Sequence, residues 1–426
     1  MAHHTIKNGY SDLVERLNRF PQGAPPSDLL NKILKILFSK KEAALVALLP
    51  IKPFTAKKAS TIWKMDLTST RKILEALASR AMLVDIEQNG EMQYALPPPM
   101  AGFFEFSMMR VNNGYDQKAL GELFYEYLNV EEDFVRELFT HGETQLGRVY
   151  VNEGQLSEEN ALHVLDYERA TEVINTATDL AVGTCYCRHK MMHMDKACDK
   201  PLDICMTFNT SAAALARHGH ARKIDKEECM DLLHEAYENN LVQFGENVRN
   251  RVNFICNCCG CCCEAMLAAQ RFAILNPVHT TNFLPDIETG NCNGCGKCVS
   301  VCPVEAMTLV TANNPKKPRF KKAKLDEKLC LGCGLCARVC EKDSITLKSR
   351  EQRVITPLNG THRAVVMAIE RGKLQHLIFD NRVLWSHRAL AAVLGAILRL
   401  SPVKQFLANK QIKSRYLEKM IAHYDN

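Results

Sequence analysis

One cysteine spacing occurs twice between residues 292 and 340. Cys292, Cys295, Cys298 and Cys302 read C-x2-C-x2-C-x3-C and are followed by Pro303. Cys330, Cys333, Cys336 and Cys340 repeat the spacing and are followed by Glu341. The x2 gaps place three sulfurs on one tight loop, and the x3 step carries the fourth onto the start of a helix. Four thiolates at these intervals can wrap a cubic iron–sulfur cluster, and in a duplicated unit the fourth thiolate reaches back to the other cluster. An eight-cysteine pattern does not double by chance, so the chain is expected to handle single electrons. Paired C-x2-C also serves zinc, but zinc motifs lack this fourfold run.

The two runs, NCNGCGKCVSVCPVEAMTL and KLCLGCGLCARVCEKDSITL, resemble a bacterial-type ferredoxin domain with two [4Fe-4S] clusters over residues 288–348. The resemblance implies a βαββαβ domain. It implies one cluster on Cys292, Cys295, Cys298 and Cys340, and a second on Cys330, Cys333, Cys336 and Cys302. It also implies that Gly294, Gly296, Gly332 and Gly334 let the loop backbone approach the inorganic sulfides. Glu341 stands where such domains carry a second proline, which bears on the potential of the first cluster.

The chain has 426 residues and nineteen cysteines. Its length suggests about three domains. The polar start, with His3, His4 and Lys7, lacks the apolar region of a secretory signal. In a reducing compartment cysteines bind metal or do redox chemistry more often than they pair, so a cytoplasmic and anaerobic setting is expected. A net charge of +6 does not by itself imply nucleic acid.

Eleven cysteines lie upstream of the duplicated run. Cys185, Cys187, Cys198 and Cys205 are spaced C-x-C-x10-C-x6-C, and Cys256, Cys258, Cys259, Cys261, Cys262 and Cys263 fall in ICNCCGCCC. Packing does not call for adjacent thiols, because neighbouring side chains cannot all face one way. Disulfides between adjacent cysteines are strained. Metal ligation through iron is the better account, giving one or two further clusters. The first four could complete a cluster alone; the second group could serve a fourth, or share the third. Arg188, His189, Lys190 and Lys196 would offset the thiolate charge. His189 and His193 more often hydrogen-bond a sulfur than ligate. Cys229, in an apparently helical stretch, reads as a structural cysteine. Cys258-Cys259-Gly260 resembles the CCG motif of heterodisulfide-reductase-like subunits, which implies a cluster that can act on disulfides. The chain carries one such motif without the long two-copy spacing, so no catalytic residue is assigned.

An α+β, multi-domain organisation is expected. Residues 27–97 read helix, helix, turn, helix and hairpin, with Thr68 as N-cap of the third helix and Asn89-Gly90 as hairpin turn. This order resembles a winged helix. Its reading helix would bear Thr68, Ser69, Thr70, Arg71, Lys72 and Arg80, but its acidic residues favour protein docking over DNA. Residues 98–175 read as a helical linker region, with Phe103, Phe104 and Phe106 as core or partner contacts. Residues 176–287 read as a mainly helical cysteine-rich domain. Residues 349–426 read as a small α/β or helical tail with amphipathic helices.

The insert 316–328 holds Lys316, Lys317, Arg319, Lys321, Lys322, Lys324 and Lys328. It is a solvated loop or a docking patch for an acidic redox partner or complex subunit. Residues 390–400 are too short an apolar run to span a bilayer, which leaves attachment to a membrane surface as the lesser alternative to packing on a partner. No dinucleotide fingerprint, P-loop or hydrolase pattern occurs. The expected function is electron relay, alone or as a subunit of an oxidoreductase. The alternatives are a redox-sensing DNA-binding regulator and a reductase acting at a non-ferredoxin cluster.

Overall fold

A computed structural model describes residues 9–398, apart from 112–113, 273–277, 314, 316–318, 352, 355 and 382–383. Lys316, Lys317 and the C-terminal basic residues from Arg399 onward therefore lie outside the described residues. The chain forms a mixed helix and sheet structure in two compact units. One is built from residues up to Thr144, Ala214–Ala221 and the segment from Gly360. The other is built from Gln145–Ala213 and Arg222–Asn359.

The first unit opens with helices whose starts are fixed by side-chain caps. Ser27 accepts from the Leu30 amide to begin helix Asp28–Leu37, and Ser39 with Glu42 forms a capping box on Lys40–Ala47. Strand β1 (Phe54–Thr55) pairs with β3 (Glu91–Ala95), which pairs with β2 (Val84–Gln88). Between β2 and β3, Asn89 and Gly90 both take positive φ, as a two-residue turn requires. Helix Leu67–Ala78 is capped by Asp66, whose carboxylate accepts from the Ser69 amide, and not by the expected Thr68. Asp caps as well as Thr does, and it starts the helix two residues earlier than a cap at Thr68 would.

Phe103 and Phe104 are fully buried and Phe106 nearly so, which settles them as core. Phe104 packs on Phe124, Tyr127 and Phe134 with ring centroids 4.8 to 6.3 Å apart. From Gly360 the described residues form the helices Gly360–Glu370, Leu374–Ile378 and Trp385–Leu398. The last helix leaves Trp385, Leu390, Val393 and Ile397 exposed. No helix among the described residues is long and apolar enough to cross a membrane.

The second unit corrects the expectation of a mainly helical middle. It is built on a six-stranded antiparallel sheet in the order β4-β8-β9-β6-β5-β7. These strands are β4 (Gly147–Val149), β5 (Leu180–Thr184), β6 (Asp203–Phe208), β7 (Arg222–Lys223), β8 (Val242–Glu246) and β9 (Phe254–Cys258). β4 arises within the region expected to be a helical linker. The runs LAVGT, DICMTF, VQFGE and FICNC are short and rich in Val, Ile, Phe and Thr, which suits a buried strand. Cysteines inside two of them obscured the pattern. Helix Lys226–Glu238 covers one face through Cys229 and Leu233, packed with Met206 and Ile255 in one core. The Cys229 thiol lies 3.5 Å from the Met206 sulfur, and burial pushes it up to about 12. It is a packing residue.

The duplicated region follows as β10 (Phe283–Ile287), helix Lys297–Val301, β11 (Met307–Thr311), β12 (Lys321–Leu325), helix Leu335–Arg338 and β13 (Ile345–Ser349). β10 pairs antiparallel with β13, and β11 with β12, so the sequence halves interlock.

Candidate metal centres

The interlocked pairing decides which thiols meet. Cys298 has Cys292, Cys295 and Cys340 as its thiol neighbours. Cys336 has Cys333, Cys330 and Cys302. Each set therefore takes three cysteines from one run and the fourth from the other. Cys302, Cys330, Cys333 and Cys336 line one cavity whose remaining wall includes Pro285, Met307, Leu325, Leu331 and Leu335. Burial pushes Cys330 up to about 11 and Cys333 up to about 12. Empty thiols here stay protonated, and an incoming metal must displace those protons.

The loops fit a cluster. Gly294, Gly296, Gly332 and Gly334 all take positive φ, which glycine adopts without steric cost. At Gly332 a β-carbon would come within 2.2 Å of the Phe283 carbonyl and the Thr281 hydroxyl. Backbone amides already aim at sulfur. Ala306 N–H donates to Cys302 Sγ at 3.2 Å, Gly332 to Cys330 at 3.3 Å and Ala323 to Cys292 at 3.5 Å. Among the described residues no three of these eight sulfurs crowd within 4.8 Å of one another. Glu341 pairs with Lys297 across the two halves at an exposed position.

The upstream cysteines regroup relative to the sequence. Cys185, Cys187 and Cys205 stay together, but Cys198 leaves them. Six thiols instead neighbour one another in a ring: Cys185, Cys187, Cys263, Cys258, Cys256, Cys205 and back to Cys185. Cys263 and Cys258 are 3.1 Å apart. Round the ring, hydrogen bonds from neighbouring thiols hold Cys185, Cys256 and Cys263 below the usual thiol range, Cys256 at about 6. The intervening Cys187, Cys205 and Cys258 are pushed up by the same neighbours and by burial. The strands explain the ring: β9 ends in Cys256 and Cys258, β6 beside it carries Cys205, and β5 runs into Cys185.

Cys198 meets Cys259, Cys261 and Cys262 instead, with all four sulfurs within 4.8 Å of one another. The sequence missed this partition because ten residues separate Cys187 from Cys198, enough for a loop to carry it elsewhere. His189 and His193 stand outside this group, with their rings 4.9 Å apart.

Arg188 is 1% exposed and donates to the Pro201 and Asn257 carbonyls, both at 2.7 Å. Burial works against its charge, but Cys185, Cys259, Cys205 and Cys258 outweigh that and raise its pKa. It is the counter-ion to both upstream groups. Lys190 makes a buried ion pair with Glu264. The Gly260 turn packs against the dicluster segment. A β-carbon there would meet the Pro303 carbonyl at 2.7 Å, and the Gln270 amide donates to both Gly260 and Pro303 carbonyls. Pro303 follows Cys302, so the two cysteine-rich regions touch next to a thiol of the second set. Beside this contact lies a cleft of about 360 Å³, lined by Lys200, Asn239, Cys259, Lys297, Ser300 and Val339 among others.

A family model described as a 4Fe-4S dicluster domain matches residues 291–344. No curated protein and no solved structure gives a significant match. With the thiol geometry, the match makes this an iron–sulfur protein whose cofactors are [4Fe-4S] clusters.

Proposed function

We propose that the chain is an electron relay, working alone or as a subunit of a larger oxidoreductase. Two [4Fe-4S] clusters sit in the 291–344 region and a further iron–sulfur site lies upstream. The interlocked thiol sets, each completed by a cysteine of the other run, carry this reading. Bound there, a [4Fe-4S] cluster supplies one-electron transfer. The chain's own residues hold and tune it: glycine loops bring amides to the sulfurs, apolar side chains exclude water, and Arg188 balances charge upstream. The touching turns at Gly260 and Pro303 support a continuous path between the regions.

Electrons enter or leave near β12. Lys321, Lys324 and Lys328 are exposed there, as is Arg319 just before it, which suits an acidic redox partner. The element order and Asn89-Gly90 hairpin of residues 27–97 support a winged-helix reading. Protein docking suits it better than DNA. Thr70 is buried with its hydroxyl on the Asp66 carbonyl, and Arg80 is engaged by Glu42 and the Leu37 carbonyl. Arg71 and Lys72 are the exposed cations that remain on that helix, fewer than duplex binding needs.

The test is iron and acid-labile sulfide per chain, prepared anaerobically, with EPR of the reduced protein. The dicluster region alone gives about eight irons and as many sulfides, and an upstream cluster adds to both. Protein with iron but no labile sulfide sinks the reading.

A further inference from the structure

We infer that Cys198, Cys259, Cys261 and Cys262 form a cage for one tetrahedral metal ion, zinc or ferrous iron, and not for a cluster. The inference rests on the relay reading only in taking the neighbouring thiols as cluster ligands.

A zinc–thiolate bond is about 2.3 Å long, and four such bonds at tetrahedral angles put the sulfurs about 3.8 Å apart. The cage shows Cys198–Cys259 at 3.6 Å, Cys261–Cys262 at 3.7 Å and Cys198–Cys262 at 3.8 Å. All of its sulfur pairs lie within 4.8 Å. A cubane needs its thiolates well separated, since an iron and shared sulfides stand between any two of them. Among the eight dicluster cysteines no three sulfurs lie within 4.8 Å of one another, unlike the four of the cage. Six donors also exceed what one tetrahedral ion accepts, so the ring suits a polynuclear centre. The cage has four donors, the full complement of a tetrahedral tetrathiolate ion.

The chemistry of the surroundings agrees. Four thiolates around a divalent ion leave two negative charges, and the buried Arg188 is among the groups that sense Cys259. Cys262 is fully buried, Cys259 nearly so, and Cys261 faces solvent, giving a cage closed on one side with an entry on the other. The ion would tie the loop bearing Cys198 to the Gly260 turn, and through Gln270 to Pro303 beside the second dicluster set. A saturated cage has no open position, so the cleft beside Cys259 is not where a substrate would meet this metal.

Metal analysis of anaerobically prepared protein and its Cys261→Ala variant tests this, with acid-labile sulfide measured on the same samples. The variant should lose one zinc or one iron per chain with no change in sulfide. Loss of about four irons with four sulfides, or no loss of metal, overturns the cage. Unchanged EPR of the dicluster clusters shows that the variant folds. Substituting Co²⁺ in the unaltered protein gives an independent readout: visible absorption of tetrahedral thiolate-bound cobalt supports the cage, and its absence counts against it. The relay reading fails by a different observation, an absence of labile sulfide in the unaltered protein.

Discussion

Cys340 and Cys302 exchange places between the two runs, and this is testable one residue at a time. Cys340 follows Cys336 by four residues, yet its neighbours in space are the thiols of the first run. Cys340→Ala should therefore remove the cluster of Cys292, Cys295 and Cys298 and leave the second intact. Cys302→Ala should do the reverse. EPR of the reduced variants, combined with iron content, separates the two; loss of the second cluster in Cys340→Ala would break the assignment. His279 gives a second prediction. Burial, helped by Arg148, lowers its pKa from 6.5 to about 4. The unfolded chain then binds a proton that the folded chain refuses, so stability is full above about pH 6.5 and falls as pH drops toward 4. Between pH 7 and pH 5 the loss should be about 2 kcal/mol. Anaerobic urea unfolding should show this excess loss relative to His279→Asn, and equal slopes with pH would refute it.

At the scale of elements, the six-thiol ring depends on two helices that each start beside ring cysteines: Tyr186–Met192 after Cys185, and Glu264–Arg271 after Cys263. The buried Lys190–Glu264 pair joins them. Removing one charge strands the other in the interior, so Lys190→Met should cost about 3–5 kcal/mol, whereas replacing both by apolar residues of similar volume should restore most of it. Thermal unfolding of Lys190→Met and of Lys190→Met with Glu264→Met decides this; a double variant as weak as the single one contradicts it. These elements also mark where the sequence became hard to read. The dicluster loops were legible because short spacing with glycine dictates local geometry, and Asn89-Gly90 was legible because a two-residue turn needs positive φ. The ring was not, since Cys205 meets Cys256 only once β6 and β9 pair, and strand pairing is a long-range outcome. Cys198 was misplaced for the same reason: spacing constrains a ligand over two or three residues, and over ten it does not.

Across the whole molecule, metal and fold are unevenly shared. All nineteen cysteines lie in Gln145–Ala213 and Arg222–Asn359. The other unit holds the capped helices, the three-stranded sheet and the phenylalanine core, with no thiol among them. Metal binding contributes folding free energy only where the ligands are. In the dicluster region the core cluster itself includes Cys298 and Cys336, with Met307, Ala323 and Ile345, so little apolar packing remains there once the metal is gone. Stripping the clusters with a chelator under reducing conditions should therefore open the cysteine-bearing unit to limited proteolysis, with cuts concentrated in residues 280–350. Fragments from residues 9–111, rich in buried Leu, Ile and Phe, should survive at protease levels that digest the rest. Mass spectrometry of the digests, holo against apo, reads this directly. Equal protection of both units in the apo protein would mean that the clusters fill a preformed scaffold; equal loss would mean that the two units fold only together.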